Sequence, residues 1–210
     1  VKYLAHRGKW ASAEEQNTHS ALSRAIALGF GIETDIRDCM GKLVISHDPC
    51  SSAGALLLNE VLQIEGVRSQ LLALNIKSDG LAPLLKDVIE KAGIADYFFF
   101  DMSVPQAVSY QKQGLKFYTR QSEFEVQPSL YEQADGVWLD CFQKDWLDSA
   151  TLSGHFKKGK RIALVSPELH GRNPLAFWQW LRMQDVVDRD DVALCTDRPE
   201  EAQAFFNGSN

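Results

Sequence analysis

No two cysteines in this chain stand at C-x-x-C spacing. Cys39, Cys50, Cys141 and Cys195 are dispersed, which excludes a zinc ribbon and a thioredoxin-like motif. Cys141 and Cys195 adjoin apolar strand-like runs and read as small core residues. All four are expected as free thiols, with a Cys39–Cys50 disulfide left open by the sequence. Long apolar runs are also missing: no segment reaches the length needed to cross a bilayer, so stable membrane insertion is not expected. No basic start leads into an apolar middle of the signal-peptide kind, and the cytoplasm is the expected location. Positive charge is in short supply, with 22 Lys and Arg against 28 Asp and Glu and a formal charge of -6. A nucleic-acid partner is therefore not expected, because phosphate-backbone binding needs clustered Lys and Arg. The one dense basic run, Lys157-Lys158-Gly159-Lys160-Arg161, reads as a solvated loop entering a strand.

What is present is an alternation. Short apolar strand-like runs at 2–6, 31–36, 71–76, 97–100, 116–118, 136–139, 161–165 and 192–195 interleave with amphipathic stretches at 18–28, 56–64, 81–91, 104–113, 123–133, 144–156, 174–182 and 199–206. Asn17-Thr18 as a cap, Gly29 after an apolar face, and Pro105, Pro174 and Pro199 near first turns mark helix boundaries. There is no internal repeat beyond this alternation and no low-complexity linker. Eight strands and eight helices in turn predict an α/β fold, a (β/α)8 TIM barrel, as one compact domain over 1–210. Residues 42–47 read as an extra hairpin arm turning at Met40-Gly41.

Functional residues in such a barrel lie at the C-terminal ends of the strands, and polar residues of the right kind fall there. His6-Arg7-Gly8 ends the first strand, Glu33-Thr34-Asp35 the second, and Ser46-His47-Asp48 follows a short apolar run. Glu33 and Asp35 are two apart, so in a strand both carboxylates point to one face. Two carboxylates in one site repel unless a cation lies between them, which points to a hard divalent ion with oxygen ligands. Histidines nearby suit proton transfer, and a guanidinium such as Arg7 grips phosphate oxygens in a planar fork.

Five pieces in register, His6-Arg7-Gly8, Glu15-Gln16-Asn17-Thr18, Glu33-x-Asp35, His47-Asp48-Pro49 and Thr196-Asp197-Arg198-Pro199, resemble the glycerophosphodiester phosphodiesterases. The resemblance implies His6 and His47 as the acid–base pair, Arg7 beside the phosphoryl group, and Glu33 and Asp35 as ligands of Mg²⁺ or Ca²⁺, with Mn²⁺ also suitable. The implied substrate is a small phosphodiester, cleaved to an alcohol and glycerol phosphate. Oligomeric state is not set by the sequence.

The chain also departs from the family pattern. Where the family has Glu-x-Lys on its third strand, this sequence has Asn75-Ile76-Lys77. Asn75 is expected to offer an amide oxygen to the metal, and Lys77 to contact phosphate on the same face. The helical insert usual after the second strand is absent, so an opener mouth is expected. After the seventh strand stands Pro167-Glu168-Leu169-His170, and Glu168 is expected to bind substrate or make good the missing carboxylate. Asn17 is placed near the phosphate by the resemblance, while Thr196 and Asp197 are expected to cap a helix. Asp101 and Asp140 are lesser candidates. Trp138 and Phe100 are expected as barrel core, with Phe177, Trp178 and Trp180 packing from one helix. Two alternatives remain: a phospholipase D-like enzyme on another phosphodiester, and a non-catalytic phosphoester-binding barrel made possible by Asn75.

Overall fold

A computed structural model describes residues 1–50 and 54–208. Nine strands form, β1 (Lys2–His6), β2 (Gly31–Cys39), β3 (Lys42–Ile45), β4 (Leu72–Ile76), β5 (Tyr97–Phe100), β6 (Tyr118–Gln121), β7 (Gly136–Leu139), β8 (Arg161–Val165) and β9 (Val192–Thr196). Eight run parallel in the order β5-β4-β2-β1-β9-β8-β7-β6, curling into a nearly closed barrel. The ninth, β3, pairs antiparallel with β2. Its turn places Met40 at φ 50° and Gly41 at φ 76°, the two positive angles that a tight hairpin requires.

The ring is weakest between β5 and β6, which share only an isolated bridge, Phe99 to Phe117. Side chains close it. Phe98 stacks on Tyr118 with centroids 3.8 Å apart and planes 5° from parallel, and Phe100 stacks on Trp138 at 4.0 Å. These rings fill the barrel interior with Leu4, Ala73, Ala163, Val165, Ala193 and Cys195, so large side chains on one half face small ones on the other. Gly136 belongs to this packing, since a Cβ there would lie 2.5 Å from the Tyr118 ring and from the Arg161 carbonyl oxygen. Trp138 and Phe100 are thus core, as expected.

Seven α-helices cover the outside among the described residues: α1 (His19–Ala27), α2 (Leu58–Val61), α3 (Ala82–Ala92), α4 (Val104–Lys112), α5 (Ser149–Lys157), α6 (Leu175–Arg182) and α7 (Pro199–Asn207). α1 shows the logic of the set. The Thr18 hydroxyl accepts the Ala21 N–H at its start, and Leu22, Ala25 and Ile26, three and four apart, are buried in the outer core. Phe177 and Trp178 do the same from α6, with Trp180 partly buried beside them.

Three expectations need correction. The helix predicted over 123–133 does not form, and that stretch is a run of bends and turns. Pro128 has no N–H to give a helix, and the Ser122 hydroxyl accepts the N–H groups of Phe124 and Glu125 in a local turn. Glu123 accepts the backbone N–H groups of Phe142 and Gln143 instead of facing solvent on a helix. The preceding strand lies later than predicted, at Tyr118–Gln121 and not 116–118. Cys39 and Cys50 are bonded to each other; hairpin pairing brings their chain segments together, which spacing alone does not reveal. Cys141 and Cys195 are free and buried as expected. The short connection after Pro49 includes 51–53, which lie outside the described residues.

Candidate active site

Strand alternation builds the site. The parity that turns Leu4, Ala73, Tyr118, Trp138 and Cys195 into the barrel turns His6, Asn75, Arg120, Asp140 and Asp197 the same way one step on, at the C-terminal mouth. Glu33 and Asp35 follow from Gly31 on β2. Three non-glycine residues at the mouth, Arg7, Asn17 and Asp101, have φ of 56°, 59° and 64°, a strained region that clusters at functional sites. Gly8 follows Arg7 at φ 90°, and a Cβ there would sit 2.6 Å from the Ala21 carbonyl carbon. Only glycine lets the turn after β1 lie against α1.

His6 is held firmly. Its Nδ1 lies 2.7 Å from Asp197 Oδ1, and a carboxylate only accepts, so Nδ1 carries the proton and Nε2 presents its lone pair to the site. Nε2 is 3.9 Å from Glu33 Oε2. Burial pushes the His6 pKa down, but the Asp197 hydrogen bond and the charges of Glu33 and Asp197 outweigh it and leave it raised. Burial is also the main influence on Glu33, raising its carboxyl to about 7 against the opposing pull of His6.

Asp35 is buried among donors. Asn17 Nδ2 donates to its Oδ2 at 2.8 Å, Arg7 Nε lies 3.0 Å from the same oxygen, and Lys77 Nζ lies 3.2 Å from Oδ1. Asn17 Oδ1 in turn accepts the Thr34 hydroxyl at 2.7 Å, so Asn17 is committed to holding Asp35. Asn75 donates its Nδ2 to Asp101 Oδ2 at 3.2 Å, and Arg120 donates to Asp101 Oδ1 at 3.2 Å. Burial raises the Asp101 pKa, against Arg120 and Lys77.

His47 sits apart on the rim. Its ring is half exposed, and Nδ1 is 2.9 Å from Asp48 Oδ1; Arg37 donates to its carbonyl oxygen. The Cys39–Cys50 bond spans the segment that carries it.

Glu168 is turned inward. Its carboxylate accepts the Ser166 and Thr196 hydroxyls and, at 3.2 Å, the Asp197 N–H. Through these bonds it braces the strand end bearing Asp197. The partner role of Asp197 toward His6 is not legible in the sequence, since Asp before Arg-Pro reads as a helix start. The Thr196–Pro199 motif was its one sequence signal. A second pair, His170 Nε2 at 2.7 Å from Asp140 Oδ1, completes the polar mouth.

The donor atoms suit a hard cation. Glu33 Oε2 and Asn75 Oδ1 are buried oxygens without a hydrogen-bond partner, Asp35 Oδ1 is buried with only the Lys77 ion pair beside it, and Asp35 and Asn75 are register partners on adjacent strands. Such all-oxygen sets favour Mg²⁺ or Ca²⁺. Among the described residues no group of three or more His, Cys, Asp or Glu is placed to hold a metal, and Asn75 adds a neutral amide oxygen beside the two carboxylates.

The architecture has solved counterparts. Over 97% of this chain and 99% of the other, it superimposes on the crystal structure of a glycerophosphodiester phosphodiesterase from Agrobacterium tumefaciens, with TM-score 0.66 and 18% identity. The fold is that of a glycerophosphodiester phosphodiesterase. A glycerophosphoryl diester phosphodiesterase from Parabacteroides distasonis matches the same barrel at TM-score 0.66 and 14% identity, over 97% of this chain and 85% of that one. A Ca²⁺-dependent phosphatidylinositol-specific phospholipase C from Streptomyces antibioticus matches it at TM-score 0.54 and 11% identity, over 98% and 96%. No protein-family model and no curated protein matches the sequence.

Proposed function

We propose that the protein is a metal-dependent phosphoric diester hydrolase acting on a glycerophosphodiester or a similar small phosphodiester. The observation that carries this reading is His6, fixed by Asp197 with Nε2 free, beside buried Glu33 and Asp35 and the cations Arg7 and Lys77. Glu33, Asp35 and Asn75 would hold a divalent ion, which would neutralise charge on the phosphoryl oxygens. Arg7 and Lys77 share that work through charge-assisted hydrogen bonds. His6 Nε2 takes the proton from the substrate hydroxyl next to the scissile ester. That oxygen bonds to phosphorus, the phosphorus–oxygen bond to the leaving alcohol breaks, and protonated His47 gives the leaving oxygen its proton. In the second step neutral His47 takes a proton from water, the water oxygen bonds to phosphorus, and His6 returns its proton to the departing ring oxygen.

The Cys39–Cys50 bond favours an oxidising compartment over the cytoplasm expected from sequence. No helix among the described residues is long and apolar enough to cross a membrane.

Incubation with a glycerophosphodiester, a lysophospholipid and an aryl phosphodiester, each with Mg²⁺, Mn²⁺ or Ca²⁺, tests the reading. Turnover of the first that is abolished by chelation and by His6→Ala is expected. Turnover of the lysophospholipid alone would favour the phospholipase D-like alternative. Retained ligand binding with no turnover under any metal would leave a binding barrel.

A further inference from the structure

We infer that Asp101 is a positioning residue that sets the flip of the Asn75 amide, so that a neutral side chain serves where a third carboxylate is missing. This rests on the metal reading above. An amide has two faces, and only its oxygen can meet a cation. A glutamate or aspartate in this place would need no such choice, since both its oxygens are equivalent. Asn75 therefore needs a neighbour that accepts only. Asp101 is that neighbour: its Oδ2 takes the Asn75 Nδ2–H at 3.2 Å, and its Oδ1 is tied to Arg120 at 3.2 Å. The planar amide then directs Oδ1 away from Asp101, where it is buried without a partner on a side chain only 8% exposed. Its register partner is Asp35, whose buried Oδ1 has the Lys77 ammonium 3.2 Å away.

Strand periodicity alone would not put Asp101 here. Phe100 faces the barrel interior, so the next residue should face outward. The left-handed φ of 64° at Asp101 breaks the alternation and brings its carboxylate back over β4. A strained backbone, a partly buried carboxylate and an unpaired amide oxygen meet where the residue after β5 reaches β4. Each is unfavourable alone, and together they make an oxygen ready for a cation.

A double-mutant cycle read by Mn²⁺ binding to the folded protein, using titration calorimetry and electron paramagnetic resonance without substrate, tests the inference. Asp101→Asn lets the amide turn over, and Mn²⁺ affinity is expected to fall roughly 10-fold or more, as for lost outer contacts at metal sites. In the Asn75→Asp background the two carboxylate oxygens are equivalent, so Asp101→Asn is expected to weaken Mn²⁺ far less. In the Asn75→Ala background it is expected to have little further effect. An equal loss in all three backgrounds would mean that Asp101 acts by charge alone, and would overturn the inference. Absence of Mn²⁺ binding by the unaltered protein would instead sink the metal reading, and the two failures are distinguishable. Circular dichroism melts of each variant confirm that the folded protein is being titrated, and the alanine background keeps the cycle readable if Asn75→Asp does not fold.

Discussion

Asp197 and Glu168 form a chain of support behind His6. Glu168 accepts the Asp197 N–H, and Asp197 accepts the His6 Nδ1–H. An asparagine at 197 can turn its N–H to Nδ1 and so let His6 adopt the wrong tautomer, with Nε2 protonated and no longer a base. Asp197→Asn is therefore expected to lower kcat by roughly 10²-fold or more, with KM little changed, in steady-state assays. Glu168→Gln acts one step further out and should lower kcat less, together with Tm. A rise in KM alone would mean that Glu168 touches substrate after all.

At the scale of elements, the β2–β3 hairpin and the segment after it act as a bracket for His47. β3 pairs with β2 from Ile45 to Lys42, and the Cys39–Cys50 bond closes the segment over a separation of 11 residues. Closing a loop of that size stabilises by about 2–3 kcal/mol through the unfolded chain. The Cys39→Ser/Cys50→Ser variant is expected to lose that much in urea denaturation and to show a lower kcat, since the bond closes the segment that carries the half-exposed His47. An unchanged kcat would show that the loop holds His47 without the bond. A second element-level constraint joins α5 to β6. His155 is buried, its Nδ1 accepts the Tyr131 hydroxyl and its Nε2 donates to Gln121. Burial, and after it Lys158 and Lys160, lower its pKa below the usual 6.5. As pH falls below that value the unfolded chain binds the proton first, so this contribution to stability is present above 6.5 and is lost toward the lower folded pKa. Melting curves between pH 7.5 and 5 should fall less steeply for His155→Gln than for the unaltered protein.

For the whole molecule, the seam between β5 and β6 decides whether the barrel stays shut. Backbone pairing there is a single bridge, so the Phe98–Tyr118 stack carries the closure. Phe98→Ala is expected to destabilise by about 3–5 kcal/mol in chemical denaturation, the usual loss for a buried phenylalanine. Hydrogen exchange should also speed up at Phe99, whose N–H reaches the Lys116 carbonyl across the seam. Loss of less than about 1 kcal/mol would show that the helices hold the ring without the stack.

By itself the sequence determined the parts that depend on local periodicity. Six of the eight barrel strands stand within a residue of their predicted ends at both termini, and the two-residue alternation put Glu33 with Asp35 and Asn75 with Lys77 on inward faces, because side-chain direction in a strand is a property of the strand alone. The helix expected over 123–133 failed because amphipathic spacing says nothing of Pro128, or of where Glu123 finds donors. Only the tertiary structure decided which polar groups meet. His6 and Asp197 are 191 residues apart, Asn75 lies on β4 while Asp101 follows β5, and Asp101 reaches the site through a backbone angle that no pattern announces. Those pairings exist only once the ring is closed, since closure brings the first strand against the last and stacks the aromatic rings that keep β5 beside β6.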